Sequence, residues 1–195
     1  MNDKIRRIFE ESIKVTEKFL DERNIGRIYE VSKVIAGAFN DGKKLILFGN
    51  GGSSADASHI AAEFINRFKR ERPGLPAIAL NTDMAVITAI ANDYDFSEIF
   101  SKQLKAISEE GDVVIAMSTS GNSPNILKAM DVARKKKLVT IAFTGLKGEK
   151  CAAKAHFAFI VPSDSTPRIQ ETHITLGHAV CQIVEEILFE VPRKK

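Results

Sequence analysis

The chain has 195 residues, 44% hydrophobic and 27% charged, and its 28 basic and 25 acidic side chains leave a formal net charge of +3. That is enough for one globular domain with its own core, and the near balance of charge supplies no basic field for nucleic acid. Met1 to Glu11 contains no continuous apolar segment and no later run approaches membrane-spanning length, so neither a secretory signal nor a membrane partner is expected and the protein reads as cytoplasmic. Cys151 and Cys181 stand in no metal-binding or redox spacing, and no chemistry is assigned to them.

Ile5, Ile8, Phe9, Ile13, Phe19 and Leu20 mark an amphipathic first helix that should end before Asn24-Ile25-Gly26. Ile28, Val31, Ile35 and Ala38 give a second helix one apolar face, and Asn40-Asp41-Gly42 closes it. Two helices before the first strand are more than a sheet needs for cover. Residues 1–40 therefore suggest a helical layer used against another copy of the chain.

Lys44 to Phe48 is a strand of the buried parallel type, running into Gly49-Asn50-Gly51-Gly52-Ser53-Ser54 and a helix from about Ala55 to Arg70. The third glycine of a dinucleotide fingerprint would fall on Ser54, and no Gly-Lys-Ser/Thr closes a P-loop, so no nucleotide cofactor is expected. What remains is a flexible, donor-rich turn able to approach a polar ligand. The helix after it carries His59 and Glu63 on one face, a spacing that suits a surface hydrogen bond as well as a ligand pair. Pro76 to Leu80 reads as a short strand, and Asn81-Thr82-Asp83 caps a helix through Ala91. Asn92-Asp93-Tyr94-Asp95 has the composition of a turn, and Phe96 to Ile107 forms another amphipathic helix.

Val113 to Met117 then leads through Ser118-Thr119-Ser120-Gly121-Asn122-Ser123-Pro124 into a helix from Asn125 to about Lys136. Pro124 suits the first helical position and Ser123 the N-cap. Hydroxyls, free backbone N–H groups and a helix N-terminus meet here, the chemistry of a phosphate site, although a Ser-rich cap alone has the same composition. Arg134 to Lys137 falls at the helix end, where cations suit the dipole, and reads as solvated. Leu138 to Phe143 is a strand, Gly148 to Ala155 a short helix or crossover, and Phe157 to Val161 a fifth strand. Strands alternating with helices argue for a parallel sheet covered on both faces over residues 43–162, with the Gly49 and Ser118 loops lining one crevice at its carboxyl edge.

After the polar stretch Pro162 to Pro167 comes one long helix, Arg168 to about Glu190. Gln170 and His178 on it are about 80° apart around the axis and two turns apart along it, so they can edge one pocket. His173 points elsewhere and reads as a structural or surface residue.

Three stretches, Phe48 to Asp56, Ser118 to Ser123 and Ser165 to Glu171, together resemble the phosphoheptose isomerase family, within the sugar isomerase (SIS) fold. The likeness runs through nearly the whole chain and departs at none of the matched positions. It implies a single domain with a five-stranded parallel sheet in a three-layer α/β/α arrangement and extra N-terminal helices. It further implies that His59, Glu63, Gln170 and His178 line the site and hold one zinc ion per subunit, with Glu63 and His178 as acid and base. Asn50, Gly51, Gly52, Ser53, Glu63 and Gln170 would contact substrate, Asn92 and Asp93 the sugar hydroxyls, and Ser118, Thr119, Ser120 and Ser123 the phosphate. The implied reaction converts sedoheptulose 7-phosphate into D-glycero-D-manno-heptose 7-phosphate through an enediol, in a homotetramer with sites between subunits. Its product would feed nucleotide-activated heptose for lipopolysaccharide or capsule. A non-catalytic alternative exists within the same fold, a phosphosugar sensor or a replication-initiator-associating protein, but such a binder has no need of a charged acid/base pair.

Overall fold

Five short apolar runs, each bounded by turn residues, become the strands β1 (Leu45–Gly49), β2 (Ala77–Ala79), β3 (Val113–Ser118), β4 (Val139–Gly145) and β5 (Phe157–Val161). The computed structural model describes residues 1–189, so the expected helix end at Glu190 lies outside the described residues. All pairings are parallel, in the order β2-β1-β3-β4-β5. The sheet therefore winds outward in two directions from between β1 and β3, where Gly49 lies opposite Met117. Ligands bind such sheets at that switch point, beyond the strands' carboxyl ends.

The period of two along each strand divides the core. Leu45, Leu47, Val113, Ile115 and Met117 face one layer, formed by α1 (Asn2–Phe19), α2 (Glu22–Asn40), α3 (Gly52–Ile65) and α8 (Thr166–Phe189). Ile46, Phe48, Val114 and Ala116 face the other, formed mainly by α5 (Ile99–Ile107) and α6 (Pro124–Lys135), with α4 (Met84–Asp93) and α7 (Glu149–Ala152) at its margins. This is the expected three-layer α/β/α arrangement.

Helix boundaries differ from expectation in several places: α3 begins at Gly52 rather than Ala55, α4 runs through Asn92 and Asp93 rather than ending at Ala91, α8 begins at Thr166 rather than Arg168, and two further shifts have a visible cause. Asn24, Ile25 and Gly26 lie inside α2; the break falls at Leu20 and Asp21, because the Asp21 carboxylate accepts the Asn24 N–H at 2.7 Å and starts the second helix there. Helix α3 ends at Ile65 rather than near Arg70, because the segment after it is gathered by a buried Arg72–Glu185 pair. The basic run closes the ends of two helices. Arg134 and Lys135 are in the last turn of α6, while the Lys136 ammonium donates to the carbonyls of Leu104, Lys105 and Ser108 at the end of α5.

Cys151 and Cys181 are free and buried, and burial pushes the Cys151 thiol up to about 11. Helix α1 covers little of its own apolar stripe: Phe9 is 68% exposed and Ile13 55%, while Phe19 is its buried anchor. No helix of the described residues is long and apolar enough to cross a membrane.

Candidate functional site

Helices α3 and α8 run side by side in the same direction. Gly177 allows the approach: a Cβ there would lie 2.3 Å from Ile60 Cδ1. This brings His178 of α8 over His59 and Glu63, which share a face of α3 at i and i+4. The two Nε2 atoms are 2.9 Å apart, and His59 Nε2 is 3.3 Å from Glu63 Oε1. All three donor atoms lie within 4.8 Å of one another. Two imidazoles and a carboxylate are the donors of a catalytic zinc site with an open position, and ligands at ~2.0 Å from a tetrahedral ion stand roughly 3.3 Å apart. The group fits such an ion. The side of His59 is half exposed, so the opening faces solvent.

Gln170 is placed differently. Its amide packs against Gly52 at the start of α3, where a Cβ would come within 2.4 Å of Nε2. It therefore stands two helical turns from His178, about 12 Å along the axis. Its neighbour Ile169 abuts Gly145, whose N–H donates to the Thr119 carbonyl at 3.1 Å. Gln170 thus lies between the His/Glu/His group and the Ser118 loop.

That loop is held from inside. The Gly121 N–H donates to the carbonyl and to the hydroxyl of Ser118, both at 3.1 Å, and Thr144 Oγ1 donates to the Ser118 carbonyl at 2.8 Å. Gly121 adopts φ +61°, and a Cβ there would lie 2.3 Å from Gly148 Cα, so the turn requires glycine on both counts. Ser123 occupies the N-cap of α6 as expected, but its hydroxyl makes no capping bond and faces Ser118 Oγ at 3.5 Å. Hydroxyls that leave the helix end uncapped are available to a ligand. Thr119, Ser120 and Asn122 wall a polar cavity of about 150 Å³ that α8 opens onto through Thr166 and Ile169.

The loop after β1 meets this one across the switch point. Asn50 and Asn125 exchange side-chain amide hydrogen bonds, both at 2.9 Å, so the two turns form one crevice. Gly51 has φ +56°, Gly51 and Gly52 are exposed, and Ser53 is buried. Asn92 and Asp93 are not brought to this group within the chain: they are exposed in the last turn of α4, bonded to each other at 2.9 Å.

His173 is buried, which removes the surface reading. Its Nε2 lies 3.3 Å from the Thr144 carbonyl, its ring packs on Phe143, and its Nδ1 has no partner among the described residues. Burial outweighs the Thr144 bond and holds its pKa down to about 4, against an ordinary 6.5. The unfolded chain then binds the extra proton first. Stability contributed by neutral His173 is full above pH 6.5 and is lost as pH falls toward 4, by about 3 kcal/mol. His173→Leu should flatten the stability curve in that window, as read by urea unfolding at pH 7 and pH 4.5; an unchanged slope would contradict it.

Sequence reasoning missed Asn125, Phe68, Arg72 and Glu185. Phe68 follows α3 and its ring centroid lies 5.6 Å from that of His178. It also missed Asp56, one turn before His59. Burial raises the Asp56 carboxyl, with His59 partly offsetting that rise.

Residues 8–145 match the family model of the SIS domain. A phosphoheptose isomerase of Thermodesulfovibrio yellowstonii is 65% identical over 195 residues, covering 100% of this chain and 96% of that protein. One from Aquifex aeolicus is 52% identical over 190 residues, 97% of this chain and 99% of that protein. The solved structure of the phosphoheptose isomerase from Neisseria gonorrhoeae superposes with a TM-score of 0.89 at 36% identity, covering 95% of this chain and 98% of that one. With the SIS model matched over most of its length and these relatives covered nearly end to end, the chain belongs to the phosphoheptose isomerase family of SIS-domain proteins.

Proposed function

We propose that this protein interconverts sedoheptulose 7-phosphate and D-glycero-D-manno-heptose 7-phosphate, with His59, Glu63 and His178 at the reacting carbons. The observation that carries the reading is the convergence of these three side chains within 4.8 Å beside a crevice walled by the Ser118 loop. A ketose becomes an aldose when one proton leaves C1, another arrives at C2, and the hydroxyl proton moves from O1 to O2. Glu63 carries the carbon-bound proton and His178 moves the proton between oxygens. Ser118, Thr119, Ser120 and Ser123 anchor the phosphate. Asn50, Gly51, Gly52, Ser53 and Gln170 line the path between, and Asn92 and Asp93, which lie away from this group within the chain, would serve the sugar hydroxyls of a site shared with another copy of the chain.

The residues that would hold one zinc ion per subunit are His59, Glu63 and His178; Gln170, expected as a fourth donor, packs on Gly52 two turns away and stands apart from this group within the chain. Bound there, the metal would supply a Lewis acid for the developing oxyanion. Glu63 cannot serve fully as both ligand and base, since coordination lowers its basicity. The uncovered apolar stripe of α1 supports assembly with further copies, a homotetramer, and free buried thiols suit a reducing compartment such as the cytoplasm. The product would then enter synthesis of nucleotide-activated heptose.

The test is sedoheptulose 7-phosphate in deuterated water, followed by NMR with native, chelated and zinc-restored protein. Aldoheptose phosphate carrying deuterium at C2 is expected, slowed by chelation and restored by zinc. Saturable binding with no turnover under any condition would overturn the reading in favour of a sensor.

A further inference from the structure

Helix α3 stops at Ile65, two residues after Glu63, and leaves its last carbonyls without intrahelical partners. Arg72 takes them. Its guanidinium donates to the Glu63 carbonyl at 2.8 Å, the Phe64 carbonyl at 2.8 Å and the Pro73 carbonyl at 3.1 Å. Its Nε donates to Glu185 Oε2 of α8 at 3.0 Å, and both side chains are only 2% exposed. Glu185 also accepts the backbone N–H groups of Phe68, Lys69 and Arg70 at 3.2, 3.0 and 2.9 Å. These hydrogen bonds outweigh the effect of burial and hold its carboxyl below the ordinary range.

The arrangement reaches both reacting helices. One arm, Arg72, grips the main chain of Glu63 itself. The other, through Glu185, fixes the backbone of Phe68, whose ring lies against His178. Glu185 stands two turns beyond His178 on the same helix, so the pair spans the α3–α8 seam just past the His/Glu/His group. Burying a carboxylate among three backbone amides and a guanidinium is an expensive way to end a helix if ending it were all that was needed.

We infer that Arg72 and Glu185, acting through the 66–72 segment and Phe68, are positioning residues that hold Glu63 and His178 at their working separation. Neither touches substrate. The inference rests on the isomerase reading for its kinetic consequence, but its geometric content concerns the donor atoms alone. Outer residues that orient metal ligands commonly change metal affinity or activity 10- to 100-fold when altered.

The variant to make is Glu185→Gln, which keeps the volume but turns one acceptor into a donor facing the same N–H groups. Folding at the assay temperature is checked by circular dichroism. The expected result is a kcat about 10-fold or more lower, a KM within twofold because the Ser118 loop belongs to the opposite layer, and Co(II) binding to metal-stripped protein at least 10-fold weaker by visible absorption. A second variant, Phe68→Leu, leaves the ion pair intact; it should lower kcat at least threefold and alter the Co(II) spectrum. A folded Glu185→Gln protein with native kcat and native Co(II) affinity would overturn the inference, leaving the pair a stabilising element. If that variant does not fold, native kcat and an unaltered Co(II) spectrum in Phe68→Leu would do the same. An inactive native protein whose variants still lose Co(II) affinity would sink the isomerase reading and uphold the positioning role.

Discussion

Glu63→Gln is expected to lower kcat about 10³-fold while leaving phosphosugar affinity within a few-fold of native. The amide keeps the size of the carboxylate and its place 3.3 Å from His59 Nε2, but it can neither accept nor carry the proton that leaves carbon. Affinity should survive because the proposed phosphate anchor, the Ser118 loop, is braced by Thr144 and Gly145 and not by α3. Glu63 is also a proposed metal donor, so zinc content must be measured on the same samples. A rate that falls and returns with excess zinc would assign the loss to coordination; a rate that stays low in zinc-saturated protein assigns it to the missing base. Retention of most of the native rate would remove Glu63 from the mechanism.

Arg72→Ala should have the largest effect on stability. It leaves Glu185 buried with its backbone donors but without its counter-ion, and it strips the carbonyls of Glu63 and Phe64 of their shared cap. Breaking one partner of a buried pair costs about 3–5 kcal/mol. For a domain of this size that corresponds to a fall in melting temperature on the order of 10 °C. The sign reflects the orphaned charge rather than the worth of the pair: a double replacement of Arg72 and Glu185 by apolar residues of similar volume should recover much of the loss. Scanning calorimetry of the two proteins checks both statements, and a single variant within about 1 kcal/mol of native would refute the first.

The sheet and the Ser118 turn were legible in the sequence because each depends on local chemistry. Apolar runs of five or six residues between turn residues specify buried strands, and a Ser-rich stretch with a glycine three residues before a Pro at the first helical position specifies the turn. The His/Glu/His group was legible only in part. The i, i+4 pair on α3 is a local fact, but the approach of His178 depends on Gly177 lying against Ile60, a contact between distant stretches that no periodicity reveals. The resemblance to the family named those residues; spacing alone left them ambiguous. Arg72 was missed for the same reason. Arg70-Glu71-Arg72-Pro73-Gly74 has the composition of a solvated helix end, and its buried partner is 113 residues away. His173 was ambiguous because a helix that packs on three sides offers no fixed polar face.

The two-way winding of the sheet has one more consequence. The Ser118 turn, the proposed phosphate anchor, springs from β3 into the α5–α6 layer, whereas His59, Glu63 and His178 stand on helices of the opposite layer, and the Asn50–Asn125 pair stitches the two at a single seam. Handle and tool are therefore built from separate stock. A lineage can blunt the tool by changing three side chains on α3 and α8 and still grasp the same handle, which makes a receptor out of an enzyme without rebuilding the scaffold.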